Sequence, residues 1–296
     1  MGLGGKFNAV LLRSEPLRGY LLLSPTLVVM FGVMVIPIAA MVVISFWTQS
    51  GSSTFDTTMV FTNYVEAFTK ESYRVLFGRS LVVSMCATFA TVLLAYPVAY
   101  YVAFHVHRYK MMWIILMTLP FWTSYLLRVF AWKIVLGYGG AVNSGLIWLG
   151  WIEEPLGFLL YNPTAVVITL THAWAAFAIL PMYVSLEKID RSLLEAATDL
   201  GDSPVYRFVR IVLPLSLPGI LAASILIFIP TVGDYVTPTL VGGNKGYMIA
   251  NAIQFQFAGG ANWPLGAALS LASMTLVTIL ALAWMWLTKM LTSRIA

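Results

Sequence analysis

Long apolar runs constrain this chain more than any other feature of its sequence. From Leu21 to Trp47 the run is interrupted only by small polar residues, glycine and proline. A helix needs about 20 apolar residues to cross the roughly 30 Å hydrocarbon core of a bilayer. Hydrophobic residues make up 60% of the 296 residues and charged residues only 10%, which is more apolar surface than a soluble core can bury. We therefore expect an integral membrane protein.

Hydropathy predicts six membrane-spanning helices in one domain covering residues 1–296. No series of alternating ten-residue segments suggests a β-barrel, so the expected fold class is an all-α polytopic membrane protein. The first run resembles a signal peptide but is too long for one, and we interpret it as a retained span. The predicted spans lie near residues 20–47, 79–104, 112–136, 164–187, 215–235 and 265–288.

The distribution of basic residues predicts the orientation of these spans. With six spans both termini lie on one side of the membrane. If that side is the cytoplasm, eleven cations lie inside and four outside, as the positive-inside rule requires. The inner set is Lys6, Arg13, Arg18, Arg108, Lys110, Lys188, Arg191, Arg207, Arg210, Lys289 and Arg294, and the outer set is Lys70, Arg74, Arg79 and Lys245.

The inner loop after span four carries a run of helix-boundary signals. Ser192 and Glu195, three residues apart, have the spacing of an N-terminal capping box. Gly201 permits a left-handed turn, and Ser203-Pro204 is typical of a second helix start, with proline in its first position. Pro214 marks the approach to span five. The pattern predicts two short helices joined at a glycine, and an ordinary amphipathic loop is the alternative.

This loop resembles the EAA motif of binding-protein-dependent ATP-binding-cassette permeases. The matching positions are Glu195-Ala196-Ala197, Gly201, Ile211 and Leu213-Pro214. The resemblance implies that residues 190–214 are the coupling region, which docks on a separate ATPase. In that interpretation Glu195 caps the helix and contacts the ATPase, Ala196 packs closely and Gly201 makes the turn.

The resemblance extends over nearly the whole chain and is closest to the spermidine/putrescine permease subunits. It rests on Leu119 to Arg128, on residues 140–150 with Asn143, and on residues 228–243. It implies the type I importer permease fold in a bacterial inner membrane. The implied partners are a second permease chain, two copies of the ATPase, which would bind ATP and Mg, and an extracytoplasmic solute-binding protein. Polyamine is the expected solute, with an opine-like or other small organic compound as the alternative.

The end of span five contains the residues expected to line the solute path. Pro230, Gly233 and Pro238 interrupt the helix, and the backbone groups that they free are tolerated only inside protein or beside water. Apart from Glu187 at the last position of span four, Asp234 is the only acid within a predicted span, and we interpret it as attracting a cationic solute. The alternative for Asp234 is a helix-end role, facing outer water or pairing with Arg128.

Aromatic residues near these segments could bind an alkylammonium group through their π-faces. Tyr235, Trp122 and Tyr125 are the candidates, with packing or interfacial anchoring as the alternative for each. Arg128 and Lys133 lie in the outer half of span three, where snorkelling to the interface is the simplest interpretation. Both cations weigh against a simple cation-attracting tunnel, which keeps an anionic or zwitterionic solute open.

Several other classes of function are disfavoured. The three histidines lack the companion ligands of a metal site, and the sequence contains no Gly-x-x-x-x-Gly-Lys-Ser/Thr phosphate-binding motif, so we expect neither metal nor nucleotide in this chain. A membrane enzyme would need a second catalytic group near Asp234. The net charge of +5 is explained by insertion and does not indicate nucleic acid. A secondary transporter is the remaining alternative, and Cys86, inside an apolar run, is predicted to be a buried small hydrophobe.

Overall fold

The computed structural model describes residues 15–51, 54–259 and 262–292. Within them, five helices are long and apolar enough to cross a membrane, and one bent helix pair makes a sixth candidate. Lys6, Arg13 and Arg294, which were used to predict the orientation, lie outside the described residues.

Helices account for nearly all of the regular structure. The helices are α1 (Glu15–Ser45), α2 (Thr62–Thr69), α3 (Glu71–Phe104), α4 (Lys110–Thr118), α5 (Tyr125–Val135), α6 (Ala141–Trp148), α7 (Pro163–Glu187), α8 (Arg191–Asp199), α9 (Pro204–Arg207), α10 (Leu213–Val232), α11 (Gly243–Gly246), α12 (Ile249–Ala258) and α13 (Trp263–Thr292). Short 3₁₀ turns cover Leu119–Trp122 and Gly157–Leu159, and π-helical turns cover Phe208–Val212 and Pro238–Gly242. Strands β1 (Thr48–Gly51) and β2 (Thr54–Asp56) pair antiparallel, with Thr48 opposite Asp56.

Helices α3, α7 and α10 form the central packing unit. Inside a bilayer the hydrophobic effect does not drive helices together, so their packing depends on small side chains that let them approach closely. Gly219 of α10 shows how close the approach is, because a Cβ at this position would lie 2.4 Å from the Cβ of Ser185. The buried small residues of this unit are Ala95, Ala99, Ala103, Ala178 and Ala223.

The third predicted span, 112–136, is not one straight helix. Lys110–Trp122 and Tyr125–Val135 meet at an angle of 84°. Thr123 and Ser124 have extended backbone between them, and the 3₁₀ turn containing Pro120 precedes the break. Proline favours a boundary, but hydropathy averages over a window and therefore did not reveal the bend. The bend places the start of α5 beside α7 and the end of α10.

The outer loop after α1 is ordered by hydrogen bonds to the end of that helix. The short helix α2 lies within this loop. Asn63 donates from Nδ2 to the carbonyl oxygens of Ser45 and Trp47, at 2.9 and 2.7 Å, and the Tyr64 hydroxyl is 2.8 Å from that of Ser45. These bonds dock the loop against α1.

The prediction for Cys86 is wrong. Its side chain is exposed on α3 rather than buried. The buried stripe of α3 at this depth is centred on Ser84, Ala87 and Thr91, and at 100° per residue Cys86 lies on the other side of the helix.

Candidate functional site

Asp234 lies at the break between α10 and the helical segment that follows it. Helix α10 ends at Val232, and helical structure resumes at Val236. Asp234 Oδ1 accepts hydrogen bonds from the backbone N–H groups of Val236 and Thr237, at 2.8 and 3.3 Å. A carboxylate in this position satisfies N–H groups that have no partner within their own helix. The break predicted from the prolines is therefore present, and Asp234 helps to cap its far side.

The second oxygen of Asp234 contacts the bent third span. The hydroxyl of Tyr125, in the first turn of α5, donates to Asp234 Oδ2. The same hydroxyl is 2.6 Å from Thr237 Oγ1. Asp234 is 9% exposed, so its charge is compensated mainly by these hydrogen bonds. One short polar cluster thus joins two interrupted helices.

An aromatic cavity of about 270 Å³ adjoins this cluster. Its volume is just below the range of roughly 300–1,000 Å³ that is typical of small-molecule sites. The rings of Phe121 and Phe177 meet edge to face at 4.4 Å, and Trp174 lies 5.2 Å from Phe177. We call this space the Asp234 cavity, and its lining residues are Phe121, Tyr125, Arg128, Ala173, Trp174, Phe177, Pro230 and Asp234.

The four residues expected to line the solute path occupy different environments. Tyr125 and Asp234 meet in the cavity wall. Trp122 is 85% exposed and Tyr235 is 46% exposed, and neither lines the cavity. The aromatic surface comes instead from Phe121, beside Trp122 in sequence, and from α7. Trp174 and Phe177 are three residues apart and therefore share a helix face, but no motif linked them to Asp234.

Arg128 lines the cavity without pairing with Asp234. Among the described residues no cation lies within 4.0 Å of Asp234, so the proposed Arg128–Asp234 pair is not formed. Arg128 donates from a terminal nitrogen to the Ala173 carbonyl at 2.8 Å, and its Cζ is 5.8 Å from the centre of the Tyr125 ring. The half-buried side chain of Arg128 therefore bridges α5 and α7 through this hydrogen bond.

The segment 190–214 begins with a cap different from the predicted one. Helix α8 starts at Arg191, and Asp190 accepts a hydrogen bond from the Ser192 N–H at 2.9 Å. The capping box of Ser192 and Glu195 is therefore wrong, because Ser192 is already inside the first turn. The bonds from Ser192, the backbone N–H first and then the hydroxyl, lower the pKa of Asp190.

The turn at Gly201 is confirmed. Its φ of +86° is left-handed, a conformation that glycine adopts without steric cost. The Asp202 N–H donates to the Ala197 carbonyl and the Gly201 N–H to that of Thr198, both at 2.9 Å, which is the Schellman pattern of a helix end. Ser203 then caps α9, and Pro204 lies in its first turn as predicted.

The second half of the segment is not a separate short helix, which corrects the two-helix prediction. From Pro204 the chain stays helical to Val232, passing through the π-helical turn Phe208–Val212. Pro214 has no N–H to donate, and the wider turn before it accommodates that loss. The side chains of Ile211, Leu213 and Pro214 are half-buried and anchor the segment to the rest of the protein.

The turn leaves apolar side chains uncovered. Glu195 and Ala196 are exposed, whereas Ala197 is buried. A groove of about 290 Å³ separates α8 from the end of α3 and includes Glu195, Arg207 and Tyr100. Clustered exposed apolar residues mark interaction surfaces. Those of this segment are Leu193 (46% exposed), Leu200 (86%), Val205 (70%), Tyr206 (58%) and Val209 (52%).

No metal site accompanies either region: within residues 15–51, 54–259 and 262–292, no group of three or more His, Cys, Asp or Glu could hold an ion. A buried carboxylate and aromatic faces suit an organic cation, and an exposed apolar turn suits a protein partner.

Comparison with known proteins relates this geometry to a family and a fold. Residues 19–296 match the family described as binding-protein-dependent transport system inner membrane component. The chain is 37% identical over 242 residues to the Escherichia coli K12 spermidine/putrescine transport system permease protein PotB, covering 82% of this chain and 87% of that one. It is 34% identical to the Haemophilus influenzae PotB over 260 residues, covering 88% and 90%. The structure of a bacterial alginate importer matches with a TM-score of 0.70 at 18% identity, covering 96% and 98% of the two chains.

Proposed function

This chain belongs to the family of binding-protein-dependent transport system inner membrane components, and we propose that it carries a polyamine into the cell as part of an ATP-driven importer. It is a permease subunit of an ABC importer and has the type I permease fold. The observation that carries the proposal is the 37% identity to a spermidine/putrescine permease over 82% of the chain.

The Asp234 cavity supports an organic cation as the solute. Its buried carboxylate has no cationic partner within 4.0 Å in the described part of the chain, so a bound ammonium group would supply the missing charge. Phe121, Trp174 and Phe177 add faces for the methylene groups between the amines of a polyamine. Tyr235 and Trp122, being exposed, would contact the solute only before or after this cavity.

The segment 190–214 supports coupling to a separate ATPase. Its exposed apolar side chains fit a groove on a partner, as an amphipathic helix does in many complexes. Because the segment continues through the π-helical turn into α10, a displacement of α8 by the partner would reach Asp234 at the far end of that helix. In this proposal two ATPase copies bind ATP and Mg, and this chain pairs with a second permease subunit.

The remaining parts of the assembly follow from the same proposal. A solute-binding protein delivers the polyamine at the outer face, and both termini of this chain lie in the cytoplasm of a bacterium. Hydrolysis of ATP takes place in the ATPase, so this chain carries no catalytic group.

One observation favours a second candidate solute. Arg128 Nε and Trp174 Nε1, on two residues that line the cavity, are buried donors without hydrogen-bond partners among the described residues. Such donors are costly unless an acceptor reaches them. A solute with both an amine and a carboxylate, such as an amino acid or an opine, would satisfy these donors and Asp234 together.

The test is ATP-dependent uptake of labelled spermidine by vesicles that hold the full complex, with putrescine, an amino acid and an opine as unlabelled competitors. We expect putrescine to compete and Asp234→Asn to reduce uptake at least about tenfold, since a charge-assisted contact is lost. Glu154→Gln, which removes an exposed outer acid, is the matched control and should leave uptake unchanged. If only the amino acid or the opine competes, the solute is zwitterionic and the polyamine assignment is wrong.

A further inference from the structure

The carboxylate of Asp234 has little remaining capacity for a ligand. Oδ1 accepts two backbone N–H groups, and Oδ2 accepts the Tyr125 hydroxyl. A cation that approaches from the cavity therefore meets an oxygen that already has a donor. The Tyr125 hydroxyl is the only one of the three donors that belongs to a movable side chain, because the other two are fixed in the backbone of the next helix.

The Tyr125 hydroxyl has a second hydrogen-bond partner within reach. Its hydroxyl is 2.6 Å from Thr237 Oγ1, a buried atom in the helical turn that Asp234 caps. If the hydroxyl released Asp234, it would turn its hydrogen to Thr237 Oγ1 as the new acceptor and would not become a buried unsatisfied donor. Moving the Tyr125 hydroxyl from Asp234 to Thr237 therefore costs the protein little free energy.

We propose that the Tyr125 hydroxyl occupies the position of a substrate ammonium group on Asp234, and that Tyr125 thereby selects cations that can donate a hydrogen bond. This inference rests on the proposed function, since it takes an amine as the ligand of the cavity. A primary ammonium replaces a neutral O–H···O⁻ bond with a charge-assisted N⁺–H···O⁻ bond, which is the stronger contact. A quaternary ammonium has no N–H group, so it leaves Asp234 Oδ2 without a donor and is rejected.

The position of Arg128 agrees with this selection. Its guanidinium lies 5.8 Å from the centre of the Tyr125 ring and is tied to the Ala173 carbonyl, so it does not compensate Asp234 in the resting state. A positive charge on the same wall disfavours any cation whose binding is not supported by a direct bond to the carboxylate. Diffuse charge attraction is therefore weak, and the hydrogen bond decides which cation stays.

Displacement of Tyr125 also has a mechanical consequence. Tyr125 is in the first turn of α5, directly after the 84° bend, and Asp234 lies at the end of α10. Their hydrogen bond joins the two interrupted spans at the cavity. An ammonium inserted between them separates these elements at the moment when the solute is recognised.

The experiment uses infrared difference spectroscopy on the purified complex of both permease chains and the ATPase in lipid nanodiscs, without binding protein. Saturating putrescine should shift the tyrosine C–O band and the carboxylate band, whereas tetramethylammonium should shift neither. The tyrosine shift should vanish in Tyr125→Phe and in Asp234→Asn. It should persist in Tyr96→Phe, a matched control that removes a hydroxyl bonded to Ser216 at 2.8 Å outside the cavity. A tyrosine-band shift that persists in Tyr125→Phe, or no shift of either band in the wild type, overturns the proposal.

A titration gives a second criterion. Without the competing hydroxyl, Tyr125→Phe should bind putrescine with a half-saturating concentration about tenfold lower than that of the wild type, read from the Asp234 carboxylate band. An unchanged or higher value overturns the proposal. If the wild-type complex shows the shift but does not import putrescine, the role of Tyr125 stands and polyamine is not the transported solute. If the complex imports putrescine without the shift, only the role of Tyr125 is wrong.

Discussion

Gly201 and Gly243 both have a positive φ at the end of a helical segment, and they differ in what surrounds the glycine. At Gly201 a Cβ would meet nothing within 4 Å, whereas at Gly243 it would lie 2.9 Å from both Cβ and the carbonyl oxygen of Tyr161. The first region, 190–214, leaves Leu200 and Val205 exposed, and the second buries Val241 and Gly242. The residues around Gly243 are packed by other parts of this chain, whereas the segment 190–214 leaves an apolar surface that a partner can cover.

The hydrogen bonds show the same contrast. The bonds around Gly201 are local, from Gly201 and Asp202 back to α8. Around Gly243 they reach across the fold: the Tyr161 N–H donates to the Val241 carbonyl at 2.8 Å, and the Ile249 N–H donates to Ser80 at 2.7 Å. A local turn can move as a unit, whereas a turn held by distant elements transmits strain to all of them. The comparison therefore predicts folding defects from one region and coupling defects from the other.

The largest effect is expected at Gly243. Gly243→Ala places a side chain at φ +56° and ψ −169°, a region that almost only glycine occupies, and presses it against Tyr161. Strain of about 1–3 kcal/mol and overpacking of about 1–3 kcal/mol together reach the lower end of the roughly 5–15 kcal/mol by which a typical fold is stable. We expect little folded protein, measured by fluorescence-detected size-exclusion chromatography after heating.

Gly201→Ala is the matched comparison for Gly243→Ala. It carries only the left-handed strain, about 1–2 kcal/mol, because the surrounding space is open. Its melting temperature should therefore fall much less than that of Gly243→Ala. Equal losses in the two variants would mean that crowding does not distinguish the regions.

A coupling defect without a folding defect is expected from Gly201→Val. A β-branched residue is especially poor at φ +86°, so the turn should rearrange locally while the spans remain packed. We expect normal membrane insertion and loss of ATP-dependent uptake in vesicles. Gly201→Asn is the control, since asparagine tolerates the left-handed region and should retain most of the uptake. Unchanged uptake in Gly201→Val would count against the coupling role of this turn.

The smallest effect is expected at the cap of α8. Asp190→Ala removes the acceptor for the Ser192 N–H, and amide exchange at that position should become about three- to tenfold faster without a change in the amount of folded protein. Asp190→Asn keeps an acceptor oxygen and is the control. Exchange as slow in Asp190→Ala as in the wild type would show that the cap does not order this helix.

The pH dependence of the same cap follows from the lowered pKa of Asp190. A depressed carboxyl pKa adds stability that is present above the ordinary value of 3.8 and lost as the pH falls through the lowered folded value. Protection of the Ser192 amide, corrected for intrinsic exchange, should therefore be constant from about pH 5 to 8. A decline inside that window would contradict the lowered pKa.

Local signals were sufficient for the features that depend on neighbouring residues in the chain. The turn at Gly201, the start of a helix at Pro204 and the interruption around Pro230 all follow from residue types whose backbone preferences act within a few positions. The capping residue of α8 was mispredicted because Asp190 and Ser192 are both good caps, and spacing alone does not say which one lies outside the first turn.

The sequence by itself determined the membrane-spanning class, the number of candidate spans and the family, because apolar length and short motifs are properties of contiguous residues. Tertiary structure alone decided that Tyr125 donates to Asp234, 109 residues away, and that Phe121, Trp174 and Phe177 rather than Trp122 face the cavity. It also decided that Arg128 bonds to the Ala173 carbonyl instead of pairing with Asp234. These outcomes depend on the 84° bend and on how closely α5, α7 and α10 approach one another, and a hydropathy pattern specifies neither.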